Sequence, residues 1–349
     1  MNQSLLNLNV HSDKLFFGES GHGISRYDVV RYPILDKMND KMQSFFWRPQ
    51  EIDMSQEKRS FNQMTDVEQF VFTSNLKRQI LLDSIQGRAP ALVFLPHCTD
   101  PSLENTLITW SFFETIHSQS YTHIIRAIYS DPTSVINDMC DIAPIANCAH
   151  DITKAYDQMV NNPTKENLYL ALIAANSLES LRFYVSFACT FSYLERGMVE
   201  GSAKIVKLIA RDENQHLALV QHVVKLLPQD DPEFSQIIGD NRDNARQIFL
   251  SAAEQEKQWA EYLFKDGAIL GLNSGILCEY VDYLTARRMK TIGISLPSDG
   301  GKSSNPIPWI DKHLTSSNNQ VAPQEVEIAS YLASSVKNDI SDIDFSTMW

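Results

Sequence analysis

Two copies of one short pattern, Glu-x-x-His, are the strongest candidates in this chain for a chemically functional site, because of their residue types and their spacing. They lie far apart, at Glu114 and His117 and again at Glu213 and His216. Residues i and i+3 of an α-helix share a face, so each copy would point a carboxylate and an imidazole at one place. A single copy is most often a solvated polar pair, because short motifs have a high false-positive rate. The interpretation therefore depends on the residues around both copies.

One further carboxylate precedes each copy at a similar distance. Asp83 lies 31 residues before Glu114, and Glu179 lies 34 residues before Glu213. Two Glu-x-x-His helices with one carboxylate from each of two further helices form the ligand set of a dinuclear metal site in a helical bundle. Apolar residues precede both copies, and a charged group on an apolar helix face needs a partner such as a metal ion. The sequence therefore predicts six metal ligands: Asp83, Glu114, His117, Glu179, Glu213 and His216.

The types of the predicted donor atoms indicate which metal ions could bind. Oxygen donors with one imidazole per metal, and no thiolate, favour iron or manganese over structural zinc.

Tyr121 lies four residues after His117 and should share its helix face. Beside oxygen-activating metals its phenol can be oxidised to a radical, whereas elsewhere it would be an ordinary core tyrosine. Phe183, Phe187 and Ile209 are placed to line the same pocket with apolar surface.

Sequence signals for helix starts and ends predict the helices that carry these residues. Thr65 and Glu68 form a capping box, and Asp-Pro pairs at 100–101 and 231–232 resemble an N-cap followed by proline at N1. Gly87 is expected to be a C′ glycine. Since no alternating strand pair stands out, the sequence predicts an all-α helical bundle. The predicted helices cover approximately 65–87, 101–130, 165–196, 202–227, 232–264 and 274–292.

Composition excludes several classes of function. The chain has 30 basic and 43 acidic residues and a net charge of −13, which argues against a nucleic-acid or anionic-membrane surface. No apolar run reaches the roughly 18 residues of a membrane helix, and the N-terminus is too polar for a signal peptide. The five cysteines are scattered and include no C-x-x-C pair. We therefore expect free thiols and a cytoplasmic protein.

The sequence changes character towards its C-terminus. Beyond Leu314 the chain is polar and acidic, yet it ends in the apolar residues Phe345, Met348 and Trp349. This combination is typical of a flexible docking peptide, although a frayed terminus is an alternative. We predict a metal-binding domain over 1–314 and a flexible tail over 315–349.

Around the predicted ligands, the sequence resembles the small, radical-bearing subunit of class I ribonucleotide reductase, of the tyrosyl-radical di-iron kind. The resemblance covers nearly the whole chain and surrounds all six ligands. The stretches that carry it are SFFWRP at 44–49, LLDSIQGR at 81–88, ETIHSQSYTHIIR at 114–126, LESLRFYVSFAC at 178–189, LIARDENQH at 208–216, and NPIPWI with QVAPQEVE near the C-terminus.

The resemblance implies a ferritin-like bundle with extra helices and two iron ions per chain. Reaction with O2 would oxidise Tyr121 to a stable radical. Trp47 matches a tryptophan that delivers an electron, Asp212 matches the acidic residue that joins it to His117, and Tyr331 matches the tyrosine that relays the radical between subunits. The resemblance also implies a homodimer whose tail docks on a large catalytic subunit, which reduces ribonucleotides to deoxyribonucleotides.

Three alternatives remain open on the sequence. A ferritin-like ferroxidase would have a shorter chain, no radical tyrosine and no tail. An oxygenase or desaturase would need an open substrate cavity where Phe183, Phe187 and Ile209 are expected to close the pocket. A manganese-loaded protein of the same family would use the same ligands, since oxygen and imidazole donors suit both metals.

Overall fold

The computed structural model describes residues 13–19, 22–294 and 304–314 and shows an all-α fold. β pairing within these ranges consists of two isolated bridges, Phe16 with Cys98 and Ile269 with Leu272. The predicted all-α bundle is confirmed. The predicted tail over 315–349, including Tyr331, lies outside the described residues.

Thirteen α-helices are found in the described ranges, joined by short 3-10 turns and interrupted by two π-helical segments, Pro90–Phe94 and Leu178–Arg182. The α-helices are α1 (Pro33–Ser44), α2 (Glu57–Phe61), α3 (Asp66–Gln86), α4 (Pro101–Ile128), α5 (Pro132–Asn137), α6 (Ala143–Asn161), α7 (Lys165–Ser177), α8 (Tyr184–Leu194), α9 (Glu200–Asp230), α10 (Glu233–Asp240), α11 (Arg242–Leu263), α12 (Ser274–Thr291) and α13 (Asp311–Leu314).

The helices that carry the predicted ligands begin at the expected caps. Thr65 accepts from the Glu68 backbone N–H while the Glu68 carboxylate accepts from the Thr65 N–H, which completes the capping box of α3. The Asp100 carboxylate accepts from the backbone N–H groups of Ser102 and Leu103 at the start of α4. These caps fix where α3 and α4 start, and α3 packs directly against α4.

Three predicted helices differ from the structure in detail. The predicted helix over 165–196 is interrupted by the π-helix Leu178–Arg182, whose wider turn re-aims the side chains it carries. Helix α9 continues through Pro228 to Asp230, so the proline lies in the last turn, where only the two residues after it are affected by the kink that it causes. The predicted helix over 232–264 divides at Asn241 into α10 and α11.

One expected turn residue also differs. Gly87 follows α3 with φ of −60° and ψ of −21°, so it continues in the right-handed region, and the prediction of a left-handed C′ glycine was wrong. Its small size matters for another reason. A Cβ there would lie 2.9 Å from the Asp83 carbonyl oxygen, closer than side-chain carbons come, and 3.5 Å from Cβ of Glu114, which is ordinary contact; the glycine therefore avoids a clash with the backbone at the end of α3, beside two predicted ligands.

A buried ion pair lies in the core away from the predicted ligands. Arg78 on α3 and Glu256 on α11 are paired, with exposed side-chain fractions of 1% and 0%. Arg78 also donates to the Arg182 carbonyl oxygen at 2.8 Å and lies 5.0 Å from the ring centroid of Trp259. The pair therefore ties α3 to α11 and to the π-helical segment.

Replacing Glu256 with alanine should strongly destabilise the metal-free protein. It leaves a buried guanidinium without its carboxylate, and breaking such a pair costs about 3–5 kcal/mol of unfolding free energy. Urea denaturation of metal-free protein measures this loss. The exposed Glu254→Ala on the same helix is the control and should change the value by less than about 0.5 kcal/mol. Equal stability of the two variants would show that the pair does not hold the core.

Candidate metal centre

The structure brings all six predicted ligands together inside the bundle. Their donor atoms form two groups, in each of which the atoms lie within 4.8 Å of one another. Glu114 and Glu213 belong to both groups. This arrangement fits two neighbouring metal ions bridged by the two shared carboxylates. The first group is Asp83, Glu114, His117 and Glu213, and the second is Glu114, Glu179, Glu213 and His216.

Four helical segments supply these side chains. Asp83 comes from α3, and Glu179 comes from the π-helix between α7 and α8. Helix α4 carries the first Glu-x-x-His pair, and α9 carries the second. All six residues have exposed fractions of 1% or less. The two-fold pattern of the sequence therefore corresponds to two helix pairs that face a common centre.

Both imidazoles point Nδ1 at the shared carboxylates. Nδ1 of His117 lies 3.2 Å from Oε1 of Glu213 and 3.5 Å from Oε2 of Glu114. Nδ1 of His216 lies 3.0 Å from Oε1 of Glu114 and 3.1 Å from Oε2 of Glu213. Each shared carboxylate thus faces both imidazoles, as expected of a bridging ligand.

The electrostatics of the cluster favour bound cations. Burial and then the negative charges of Glu114 and Glu213 raise the pKa of Asp83 well above its ordinary value. Burial and the same two charges also raise the pKa of Glu179. Burial alone would lower the pKa of His216, but the Glu114 and Glu213 carboxylates together outweigh it and raise the pKa to about 9. The carboxylates repel one another, and a pair of bound cations would remove this repulsion.

Buried ligand atoms without hydrogen-bond partners also indicate that the cluster binds cations. Buried polar groups normally have hydrogen-bond partners, and exceptions indicate a missing water or ion. Each of the six residues nevertheless has at least one buried oxygen or nitrogen atom without a hydrogen-bond partner in the described part of the chain. These atoms are both carboxylate oxygens of Asp83, Oε2 of Glu114, Nδ1 of His117, Oε2 of Glu179, Oε1 of Glu213 and Nε2 of His216.

Trp47 and Asp212 extend the cluster beyond His117. The Trp47 indole N–H donates to Oδ2 of Asp212 at 2.7 Å, and the same oxygen lies 3.2 Å from Nε2 of His117. The rings of Trp47 and His117 are stacked with centroids 6.4 Å apart. Arg211 donates to the other Asp212 oxygen at 3.1 Å and so fixes the carboxylate. The structure thus joins Trp47 to one ligand through a single bridging carboxylate.

Tyr121 lies on α4 beside this cluster and is fully buried. Burial and then the charges of Asp83, Glu213 and Glu114 raise the pKa of its phenol well above the ordinary value. The neutral phenol is therefore its resting form, so oxidation must remove a proton together with an electron. Phe183, Phe187 and Ile209 are also fully buried, and the two phenylalanine rings stack with centroids 5.8 Å apart.

Three residues that support the ligands were missed by the sequence analysis. The Trp110 indole N–H donates to Oε1 of Glu114 at 2.8 Å. Gln86 donates to Oε1 of Glu179 at 2.6 Å, and the Tyr156 hydroxyl donates to the Gln86 amide oxygen at 2.8 Å. Trp110 could have been found, since it lies four residues before Glu114 on one helix face. Gln86 and Tyr156 could not, because their contacts with other segments depend on the fold.

Comparison with known proteins places the chain in a family. A family model described as "Ribonucleotide reductase, small chain" matches residues 26–297. The chain is 45% identical over 359 residues to "Ribonucleoside-diphosphate reductase subunit beta" of Buchnera aphidicola, with 95% of each chain covered. The chain belongs to the ribonucleotide reductase small-chain family. As a member it is the small subunit of a ribonucleoside-diphosphate reductase, so this function is selected over the ferroxidase and oxygenase alternatives.

Two further comparisons agree with this assignment. "Ribonucleoside-diphosphate reductase 1 subunit beta" of Escherichia coli O157:H7 is 44% identical over 360 residues, covering 96% of this chain and 95% of that protein. The structure entitled "Ribonucleotide reductase R2 subunit from Clostridium botulinum" superposes with a TM-score of 0.82 at 23% identity, covering 90% of this chain and 99% of that one. At that identity the structural match concerns the fold alone, which is the predicted ferritin-like bundle.

None of the helices in the described ranges has the length and apolar character that crossing a membrane requires. The same residues contain all five cysteines, and each is a free thiol.

Proposed function

We propose that this small chain binds two iron ions through the six buried ligands and uses them, with O2, to oxidise Tyr121 to a stable radical. The observation that carries the proposal is the pair of overlapping donor groups that share Glu114 and Glu213, with the buried phenol beside them. Manganese fits the same oxygen and imidazole donors and is the alternative metal.

The protein residues would have distinct roles in this oxidation. Bound iron ions supply the reduction of O2 that yields a strong one-electron oxidant. Tyr121 would give up one electron and its phenolic proton, and we assign the proton to the carboxylate of Asp83, the side chain whose charge has the largest effect on the pKa of the phenol. Phe183, Phe187 and Ile209 exclude water and reductants from the phenol, which lengthens the lifetime of its radical.

Trp47, Asp212 and His117 would form the route between the cluster and the surface. Trp47 supplies an electron during cluster assembly and later carries the oxidising equivalent outward. Asp212 accepts hydrogen bonds from both neighbours, so it can hold the transferred proton close to the electron path. Arg211 keeps the Asp212 carboxylate oriented, since it donates to its second oxygen.

Reconstitution with ferrous iron and O2 tests the proposal. The wild-type protein should give a tyrosyl-radical signal in electron paramagnetic resonance spectra and bind about two metal ions per chain, as a dinuclear carboxylate site does. No radical after full loading with iron would overturn the assignment of Tyr121. A signal that appears only with manganese would decide in favour of the alternative metal.

Shared and unshared ligands should differ in their effect on metal content. Glu213→Ala removes a carboxylate that faces both metal positions, so metal analysis should find nearly no bound iron. Glu179→Ala removes a residue of one donor group only and should leave about one ion per chain. The two variants are matched, because each deletes one fully buried carboxylate. Equal metal contents would mean that Glu213 is not a bridge.

The chain would act with a large catalytic subunit, which binds the ribonucleotide. We propose that residues 315–349 form a flexible tail that docks on this subunit and that Tyr331 relays the radical across the interface. The acidic composition and apolar end of the tail support this role, because exposed apolar side chains on a polar segment are typical of docking peptides. On this proposal residues 1–314 form the metal-binding domain.

We also propose that the small chain is a cytoplasmic homodimer. Its five free thiols fit a reducing compartment. Ile108 and Phe112 are 51% and 48% exposed on one face of α4, where Phe112 stacks on the partly exposed Phe46. Such a patch is suited to a second copy of the chain.

Light scattering should give twice the 39.6 kDa chain mass. Ile108→Asp should shift the measured mass towards that of one chain. A wild-type monomer would contradict the proposal.

A further inference from the structure

The last described segment of the chain, residues 304–314, is anchored to the bundle by apolar contacts. Ile307 and Ile310 are 2% and 0% exposed and belong to the hydrophobic core. The Ile307 backbone N–H donates to the side-chain oxygen of Asn305 at 3.0 Å, and the Ile310 N–H donates to the Ile307 carbonyl oxygen at 3.0 Å. This segment is directly followed by the residues of the predicted tail.

Glu195, at the C-terminal end of α8, holds two consecutive residues of α13. Its carboxylate accepts from Nζ of Lys312 at 2.7 Å and lies 2.8 Å from Nε2 of His313. The hydrogen bond from Lys312 lowers the pKa of Glu195, so the carboxylate is charged at neutral pH. The His313 ring also stacks on Phe191 of α8 at a centroid distance of 4.8 Å.

Asn214 makes a second connection, from the helix that carries two predicted ligands. It follows Glu213 on α9, and its amide nitrogen donates to the Leu314 carbonyl oxygen at 3.2 Å. Its amide oxygen accepts from the Tyr184 hydroxyl at 3.2 Å, and that hydroxyl accepts from Arg288 at 3.0 Å. The end of the described chain is therefore tied to α9 immediately beside the metal centre.

An aromatic row joins the same two regions through α8. Phe183 and Phe187 have ring centroids 5.8 Å apart, Phe187 and Phe191 are 6.3 Å apart, and Phe191 stacks on His313. The first two rings are those proposed to shield Tyr121. Since successive rings are in contact, α8 spans from the radical pocket to the base of the tail as one packed unit.

We propose that Glu195 and Asn214 are positioning residues that clamp the base of the C-terminal tail to the metal-ligand helices. The inference rests on the proposed docking of the tail on the large subunit. The clamp gives the tail a fixed origin at Leu314, 31 residues before Phe345, the first apolar residue expected to dock. If residues 304–314 were released, the last anchored residue described before them would be Ile294, 51 residues before Phe345. Effective concentration falls with about the −3/2 power of linker length, so holding this segment should strengthen docking about twofold.

The double variant Glu195→Gln with Asn214→Ala tests the clamp in the full chain. Hydrogen exchange of the segment 304–314 should become faster, and half-maximal turnover should need up to about twice as much large subunit. Ile310→Asp is a second variant that detaches the same segment by removing its apolar anchor, and it should have the same effect. Glu261→Gln, an exposed carboxylate on α11, is the control and should match the wild type in both measurements.

A free peptide of residues 315–349 separates the clamp from the docking proposal. It should inhibit the wild type and the variants alike in kind, and at equal subunit concentrations it should inhibit the variants at a lower peptide concentration, because it competes with a tail that docks more weakly. If the peptide inhibits the wild type but both variants reach half-maximal turnover at the same large-subunit concentration as the wild type, the clamp is overturned and the docking role of the tail stands. Unchanged hydrogen exchange in both variants would overturn it as well. A peptide that does not inhibit the wild type would overturn the docking role of the tail, and the clamp with it.

Discussion

Tyr121→Phe should abolish the tyrosyl-radical signal and reduce turnover with the large subunit to background, while the protein still binds about two metal ions per chain. The substitution removes only the hydroxyl, and none of the six predicted ligands is altered. Phenylalanine cannot give up a hydroxyl proton with its electron, so the oxidising equivalent has no stable place in the pocket. Paramagnetic resonance and metal analysis of the same reconstituted sample measure both effects.

A matched control separates this loss from general damage to the core. Tyr193 is also fully buried, and its hydroxyl donates to the Glu68 carbonyl oxygen at 3.1 Å, away from the metal centre. Tyr193→Phe should retain the radical and cost about 1 kcal/mol of stability for the lost hydrogen bond. Deuterated tyrosine should narrow the wild-type signal, which assigns it to a tyrosine. A full radical signal in Tyr121→Phe would show that another residue holds the radical.

Deleting the residues after Leu332 should leave the radical intact and abolish turnover with the large subunit. All six predicted ligands and Tyr121 lie between residues 83 and 216, so the oxidation does not need the tail. The deleted segment contains Phe345, Met348 and Trp349, the apolar residues expected to dock. Radical content is measured by paramagnetic resonance, and turnover is measured with increasing large subunit.

Full-length Tyr331→Phe is the companion variant, because it keeps the docking residues and removes only the relay. It should bind the large subunit like the wild type and still fail to turn over. Binding is measured with the variant as competitor of the wild type in the turnover assay. Normal turnover of the truncated chain would show that the tail is not the docking element, and normal turnover of Tyr331→Phe would exclude it as a relay.

The sequence by itself determined the helical class and the ligand candidates, because both depend on short-range regularities. A spacing of three residues places Glu114 and His117 on one helix face whatever the fold. The caps at Thr65 and Asp100 are equally local, and both are present in the structure. The resemblance added specific roles for Trp47, Asp212 and Tyr331, and the structure brings the first two next to His117.

Only the tertiary structure decided how the ligands are shared and supported. Nothing in the spacing shows that Glu114 and Glu213 both face two metal positions, since this depends on how α4 and α9 pack. The π-helix that carries Glu179 also escaped the sequence analysis, because a single π turn of 5 residues is too short to show a period. Gln86 supports Glu179 from 93 residues away, and Asn214 reaches Leu314 across 100 residues. Side-chain periodicity reports which face of a helix a residue occupies, but only packing determines what that face meets.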